Sequence, residues 1–181
     1  MKRALAPSIL DTPRMVGEPI GPGHEAEIVG LMLDPRVYRT LWPWAGAPTV
    51  DDVRASLADK RDHWDRHRFG LWLLRDRESG AMVGRGGLQY TDAIGGFAVE
   101  AAWTIVPDRW GQGLATELAQ ASVAVAFDVL DLHDLIAITL PDNLASRRVM
   151  DKAGFAYDRP IEHGGLEHVL YRRGRCYAPR Q

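Results

Sequence analysis

The chain has 181 residues, 46% of them apolar and 25% charged, with a formal net charge of -2. Such a length holds one ordinary domain with a sizeable core, and the near-neutral charge gives no general attraction to nucleic acid or an anionic membrane. The one cysteine, Cys176, allows no internal disulfide, and no apolar run resembles a membrane span or a secretory leader, so a cytoplasmic location is expected.

Residues 1–13 are mixed and proline-punctuated, and read as a loose lead-in. A first strand is predicted over 14–18. A helix is predicted over 24–33, where Ala26, Val29, Gly30 and Leu33 recur at helical spacing before Asp34-Pro35 ends it. Residues 38–50 (YRTLWPWAGAPTV) are too irregular for an element and too apolar for an idle loop. Thr49 starts a second helix, with Asp51 and Asp52 in the first turn, where carboxylates suit the helix dipole. Its inward stripe is Val53, Leu57, Lys60 and Trp64. Strands over 69–75 and 82–90 flank a hairpin loop at 76–80, and a tight connection at 91–96 leads into a third antiparallel strand.

That third strand, 98–106, is apolar apart from Glu100 and Thr104, as expected of a central strand buried on both faces. Pro107 ends it. Trp110-Gly111-Gln112-Gly113-Leu114-Ala115 then turns the chain sharply into a helix. Glycine permits positive φ and leaves the backbone approachable, and the first N–H groups of a helix lack intrahelical acceptors. Together with the dipole this makes a seat for phosphate. In the helix, Leu114, Leu118, Ala121, Val125 and Val129 form a buried stripe, beside a small-residue face of Ala115, Ala119, Ser122 and Ala126. Residues 135–140 form a strand parallel to the central one if a crossover helix joins them. Asn143 caps a helix over 144–152, closed by Ala153-Gly154. The last strands are 155–157 and 166–172, with 161–165 between them.

In this order of elements the chain resembles the GNAT superfamily of acyl-CoA-dependent N-acetyltransferases, and more closely the RimJ/RimL-type branch that acetylates ribosomal-protein N-termini. Trp110-Gly111-Gln112-Gly113-Leu114-Ala115 resembles the family's acetyl-CoA pyrophosphate loop. Val99-Glu100 with Trp103 and Pro107 resembles the strand before it. Asn143-Leu144-Ala145-Ser146-Arg147-Arg148-Val149, followed by Lys152-Ala153-Gly154-Phe155, resembles the branch's Asn-x-x-Ser-x-x-Val helix and its Lys-x-Gly-Phe ending. The similarity spans about residues 14–173, leaving 1–13 as lead-in and 174–181 as tail. It implies an α/β (α+β) single-domain GNAT fold: a mixed, mostly antiparallel sheet of about six or seven strands, with about four helices packed on both faces. Two positions depart from the family pattern. Trp110 replaces the first Gln or Arg of the loop, and Met150 stands where many members carry a tyrosine general acid.

The resemblance implies acetyl-CoA as co-substrate, an amine acceptor (a peptide N-terminus or a small molecule), no metal, and the homodimer common in the family. Backbone groups of Trp103, Thr104, Ile105 and Val106 are expected to pair with the amide-rich pantetheine as an added strand would. The loop that opens at Trp110 is expected to hold the pyrophosphate through N–H groups of Gly111, Gln112, Gly113, Leu114, Ala115 and Thr116, each charge–helix contact contributing roughly 0.3–1 kcal/mol. Asn143 is expected on the pantetheine arm or as a plain cap, and Ser146 near the thiol as an acid or as a packing hydroxyl. Glu100 is the candidate general base, a role worth about 10²–10⁴-fold; the alternative is a structural bridge to an arginine such as Arg85. Trp42, Trp44 and Tyr171 are candidates for the acceptor pocket, with core packing the alternative for Tyr171 and Trp64. His63 and His67 have a metal-binding spacing without a third ligand. A single tail cysteine argues for direct attack in a ternary complex rather than an acetyl-enzyme. Two rival readings remain, a nucleotide-binding module and a non-catalytic acyl-CoA sensor. The first lacks a P-loop ending and a dinucleotide fingerprint; Met150 favours the second.

Overall fold

A computed structural model describes residues 6–41 and 46–175. Trp42, Trp44 and Cys176 lie outside them. The described residues form an eight-stranded sheet in the order β1-β2-β3-β4-β5-β6-β8-β7, with helices on both faces. The strands are β1 (Leu10–Asp11), β2 (Met15–Pro19), β3 (Leu71–Asp76), β4 (Met82–Thr91), β5 (Ala98–Ile105), β6 (Asp134–Thr139), β7 (Ala156–His163) and β8 (Leu166–Gly174). All neighbours pair antiparallel except β5 and β6, which run parallel through a helical crossover. The α-helices are α1 (Glu25–Leu33), α2 (Pro35–Tyr38), α3 (Val50–His67), α4 (Leu114–Ala124) and α5 (Leu144–Lys152).

Two cores flank the sheet. On one face α1 and α3 bury Ile28, Leu31, Met32, Val53 and Leu57 against Leu71 and Leu73. On the other, α4 and α5 bury Leu114, Leu118, Ala119 and Met150 against Leu88, Ala101, Ile105 and Ala137. The small-residue face of α4 seats it close to the sheet. A Cβ on Gly86 would lie 2.7 Å from Leu118 Cδ2 and 2.4 Å from the Ala102 carbonyl, so β4 needs glycine there. Thr49 caps α3 reciprocally: its Oγ1 accepts from the Asp52 N–H (3.1 Å) while Asp52 Oδ2 accepts from the Thr49 N–H (2.8 Å).

Several expectations are corrected. The described part of the lead-in is not loose: Ala6 and Leu10 are buried, Leu10–Asp11 pairs with β2, and Thr12 Oγ1 donates to Glu117 (2.7 Å). A two-residue strand is too short to show a period. The buried stripe of α1 is Ile28, Leu31 and Met32, whereas Ala26 and Gly30 face solvent. The α4 pattern widens into a π turn over Val125–Val129, where the Leu130 N–H reaches the Val125 carbonyl (2.9 Å). Finally β7 runs on to His163, leaving only Gly164-Gly165 as the turn. As an edge strand it is mostly exposed and tolerates Pro160, so it lacks the alternation that marks half-buried strands.

Candidate active site

The parallel pairing of β5 with β6 is confined to the register of Glu100 with Ile136. Beyond Glu100 the two strands part, and a cleft of about 590 Å³ opens between them. Ala102, Trp103 and Thr104 are therefore half-buried rather than enclosed on both faces. Which backbone groups face the opening follows from the antiparallel ladder with β4. The Val106 N–H donates to the Val83 carbonyl (3.0 Å), so alternation turns the polar groups of Thr104 and Val106 toward β4. Those of Trp103 and Ile105 point toward the cleft. The Ile105 carbonyl is already taken by the indole N–H of Trp110 (2.7 Å). Of the four predicted pairing residues, Trp103 thus offers both its groups and Ile105 its N–H.

At the end of β5 the turn adopts the conformation its glycines allow. Gly111 and Gly113 have φ of 75° and 79°; a Cβ at Gly111 would meet nothing within 4 Å, and one at Gly113 only Arg14 Nη2 at 3.5 Å. Gly113 serves as the N-cap of α4 without a capping side chain. No carbonyl or side chain among the described residues accepts from the N–H groups of Gly111, Gln112, Gly113, Leu114, Ala115 or Thr116. These open donors sit at a positive helix end, the arrangement a diphosphate fits. Arg14 braces the turn: it donates from Nη1 to the Gln112 carbonyl (2.7 Å) and from Nε to Glu117 Oε2 (2.6 Å). Both N–H groups of Trp110 are engaged inside the protein, the backbone one by the Pro107 carbonyl (3.1 Å) and the indole one by that of Ile105, which latches the turn onto β5. Arg109, Arg148 and Lys152 add positive charge to the cleft wall.

The opposite part of the cleft is made of side chains. Glu100 pairs across the ladder with Gln89 and Thr104 with Arg85, so all four project to the face beneath α1 and α3. Glu100 is buried, and Gln89 Nε2 donates to its Oε2 (3.0 Å). Burial pushes its carboxyl above the ordinary carboxylate range, against the Gln89 hydrogen bond and the nearby His163 and Lys60, which favour the charged form. Gln89 Oε1 is buried with no partner. The bridge to Arg85 entertained from sequence is absent: Arg85 has no hydrogen bond or ion pair among the described residues, and burial lowers its pKa to about 10. Lys60 lines the same space, its pKa lowered chiefly by burial. His163 and His168, with rings 5.8 Å apart, close the side formed by the β7–β8 hairpin. Arg85, Lys60, Gln89 and the two histidines are the residues sequence reasoning left out of the site. One signal was available: a lysine in the inward stripe of an amphipathic helix.

On α5, Asn143 Oδ1 accepts from the Ser146 N–H (3.1 Å), the cap predicted, and both residues line the cleft. Met150 is fully buried in the core behind them. Tyr171 does not line the cleft; it is buried on the α5 face, where Arg147 Nε donates to its hydroxyl (3.3 Å). The alternation of β8 sends it there, one residue out of phase with the cleft-facing side. Both ring nitrogens of His63 are engaged, Nδ1 with the Phe69 carbonyl (2.8 Å) and Nε2 accepting from the Tyr90 N–H (3.0 Å), so this imidazole ties α3 to β4 rather than holding metal. Burial lowers its pKa to about 4.

Comparison with known proteins agrees with this geometry. The profile of the acetyltransferase (GNAT) domain matches residues 14–156, well over half of the chain. Uncharacterized protein YkkB of Bacillus subtilis (strain 168) is 26% identical over 136 residues, 70% of this chain and 79% of its own length. A solved structure from Bordetella pertussis, described as a GnaT-family acetyltransferase, superposes with a TM-score of 0.79 at 27% identity, covering 93% of this chain and all of that one. Mycobacterium smegmatis RimJ in complex with CoA-disulfide superposes at 0.72 with 20% identity, covering 95% and 88% of the two chains, a likeness of fold. No described helix is long and apolar enough to cross a membrane. The chain belongs to the GNAT acetyltransferase family.

Proposed function

We propose that the protein transfers acetyl from acetyl-CoA to the nitrogen of an amine (a peptide N-terminus or a small molecule) by direct attack in a ternary complex. The observation that carries this reading is the run of unpartnered N–H groups from Gly111 to Thr116, set at the mouth of a cleft that ends on a buried carboxylate. The cofactor supplies an activated thioester. The chain's own residues do the rest. Trp103 offers its N–H and C=O to the pantetheine amides, the turn holds the diphosphate, and Asn143, whose Oδ1 is committed to the cap, has its Nδ2 left for the arm.

Glu100 acts as general base, taking a proton from the acceptor nitrogen so that its lone pair is free to attack. A carboxyl with a raised pKa suits that task better than an ordinary one. As the C–N bond forms, the thioester C–S bond breaks; the nitrogen releases its second proton to solvent on becoming an amide, and the departing sulfur takes a proton from Ser146 Oγ, which solvent replaces. Met150 leaves no phenol for that step. Met150 also favours a second reading, an acyl-CoA sensor that binds without turnover. Following thiol release with a panel of amines separates the two: amine-dependent release supports the transferase, while tight acetyl-CoA binding with no release above the solvent rate assigns the sensor.

A further inference from the structure

Arg85 carries a charge that no described residue compensates. It projects from β4, opposite Thr104 and on the same face as Glu100, and is only 9% exposed. Its guanidinium lines the cleft with no carboxylate, carbonyl or hydroxyl partner among the described residues. The one buried carboxylate nearby among the described residues, Glu100, makes no ion pair with it and accepts from Gln89 Nε2 at Oε2 alone. A second cation, Lys60, faces the same space from α3. An arginine open to water only through the cleft and without a counter-ion is costly, and a guanidinium is the donor best shaped for a carboxylate.

We infer that the acceptor is a small amino-carboxylic acid: Arg85, with Lys60 beside it, receives the carboxylate, while Glu100 and the free Gln89 Oε1 receive the ammonium. This rests on the transferase reading and names its substrate class. The carboxylate belongs to the acceptor rather than to the acyl donor because of where the groups lie. Arg85, Gln89 and Glu100 share the face beneath α1 and α3, whereas α4, whose first turn forms the diphosphate seat, packs on the opposite face. Glu100 and Thr104 are four residues apart along β5, about 13 Å between Cα atoms, so Arg85 and the base mark two separate ends of the acceptor, with Lys60 close enough to feel both.

The test is transfer from acetyl-CoA to amino acids paired with the amines they become on losing the carboxylate: glycine with methylamine, β-alanine with ethylamine, 4-aminobutyrate with propylamine, and 5-aminovalerate with butylamine. At least one acid is expected to exceed its partner in kcat/KM by about 30-fold or more, the scale of a buried charge pair left without one member. The best spacer then measures the distance between the two ends. In Arg85→Met that ratio falls toward one, chiefly through KM, while the thermal midpoint rises because an unpaired interior charge is gone. Arg85→Lys gives an intermediate ratio and stands in should the methionine variant fail to fold. Equal rates for acids and amines, or a ratio unchanged in both variants, overturn the inference. So does an Arg85-dependent preference for succinyl-CoA over acetyl-CoA, which would assign the carboxylate to the donor. A protein that binds no acetyl-CoA fails the transferase reading itself; one that binds it and acetylates alkylamines as readily as acids loses only the acceptor assignment.

Discussion

The two ends of the cleft are built by different means. At the diphosphate end the donors are backbone N–H groups, placed by a single turn between β5 and α4 and braced by Arg14. At the acceptor end the groups are side chains gathered from α3, β4, β5 and the β7–β8 hairpin, elements far apart in sequence. A backbone site depends on conformation, so glycines at positive φ betray it and it tolerates variation elsewhere. A side-chain site depends on a tertiary arrangement, and any member can change to suit a new acceptor while the first end stays intact. Substitutions at the two ends should therefore separate binding of acetyl-CoA from turnover.

The largest effect is expected at the acceptor end. Glu100→Gln should lower kcat by about 10²–10⁴-fold while leaving the affinity for acetyl-CoA within about twofold, measured by steady-state kinetics beside calorimetry. The wild-type kcat/KM should rise with pH through the raised carboxyl pKa, because the base works deprotonated, and the variant should lack that rise. At the other end, Gly113→Glu should weaken acetyl-CoA binding by about 100-fold, or about 2.7 kcal/mol. It puts bulk and negative charge at the seat and forces a side chain onto φ of 79°. A variant that is inactive with unchanged affinity would break the division.

The fold at the diphosphate end was legible because its signals are local. Glycine spacing, the apolar run of β5 and the Asn143 cap each declare themselves within about ten residues, and each is found where sequence put it. At the acceptor end the sequence marks Glu100 as a site residue and Lys60 as inward-facing, and little else. Arg85 sits in a glycine-rich strand that gives no hint of burial, and His163 belongs to an edge strand whose exposed residues follow no period. Sequence leaves Tyr171 between the acceptor pocket and the core, because facing is invisible until the register of β8 against β6 is known; the structure places it in the core. The order of the lead-in is hidden for a related reason: Thr12 is held by Glu117, more than a hundred residues away, and by Arg77, which donates to its carbonyl (2.8 Å).

Smaller effects sharpen the same contrast. Asn143→Ala removes both the α5 cap and a cleft amide, and should cost about 1 kcal/mol of stability in chemical denaturation with a few-fold loss of acetyl-CoA affinity. His63, which ties α3 to β4, titrates near 4 when folded and near its ordinary 6.5 when unfolded. Between those values the unfolded chain binds more protons, so stability should rise with pH through the window and level off above 6.5. His63→Gln should flatten that segment of the curve in pH-dependent thermal melts.

We propose that the unpaired amides at the start of α4 hold the diphosphate of coenzyme A. It is tested most directly by calorimetric titration of the wild-type protein and Gly113→Glu with acetyl-CoA and with ATP. The wild type is expected to bind acetyl-CoA one-to-one, the variant roughly a hundredfold more weakly while still melting cooperatively, and ATP is expected to bind much more weakly than acetyl-CoA. Acetyl-CoA bound equally well by both proteins, or ATP bound in its place, would contradict it.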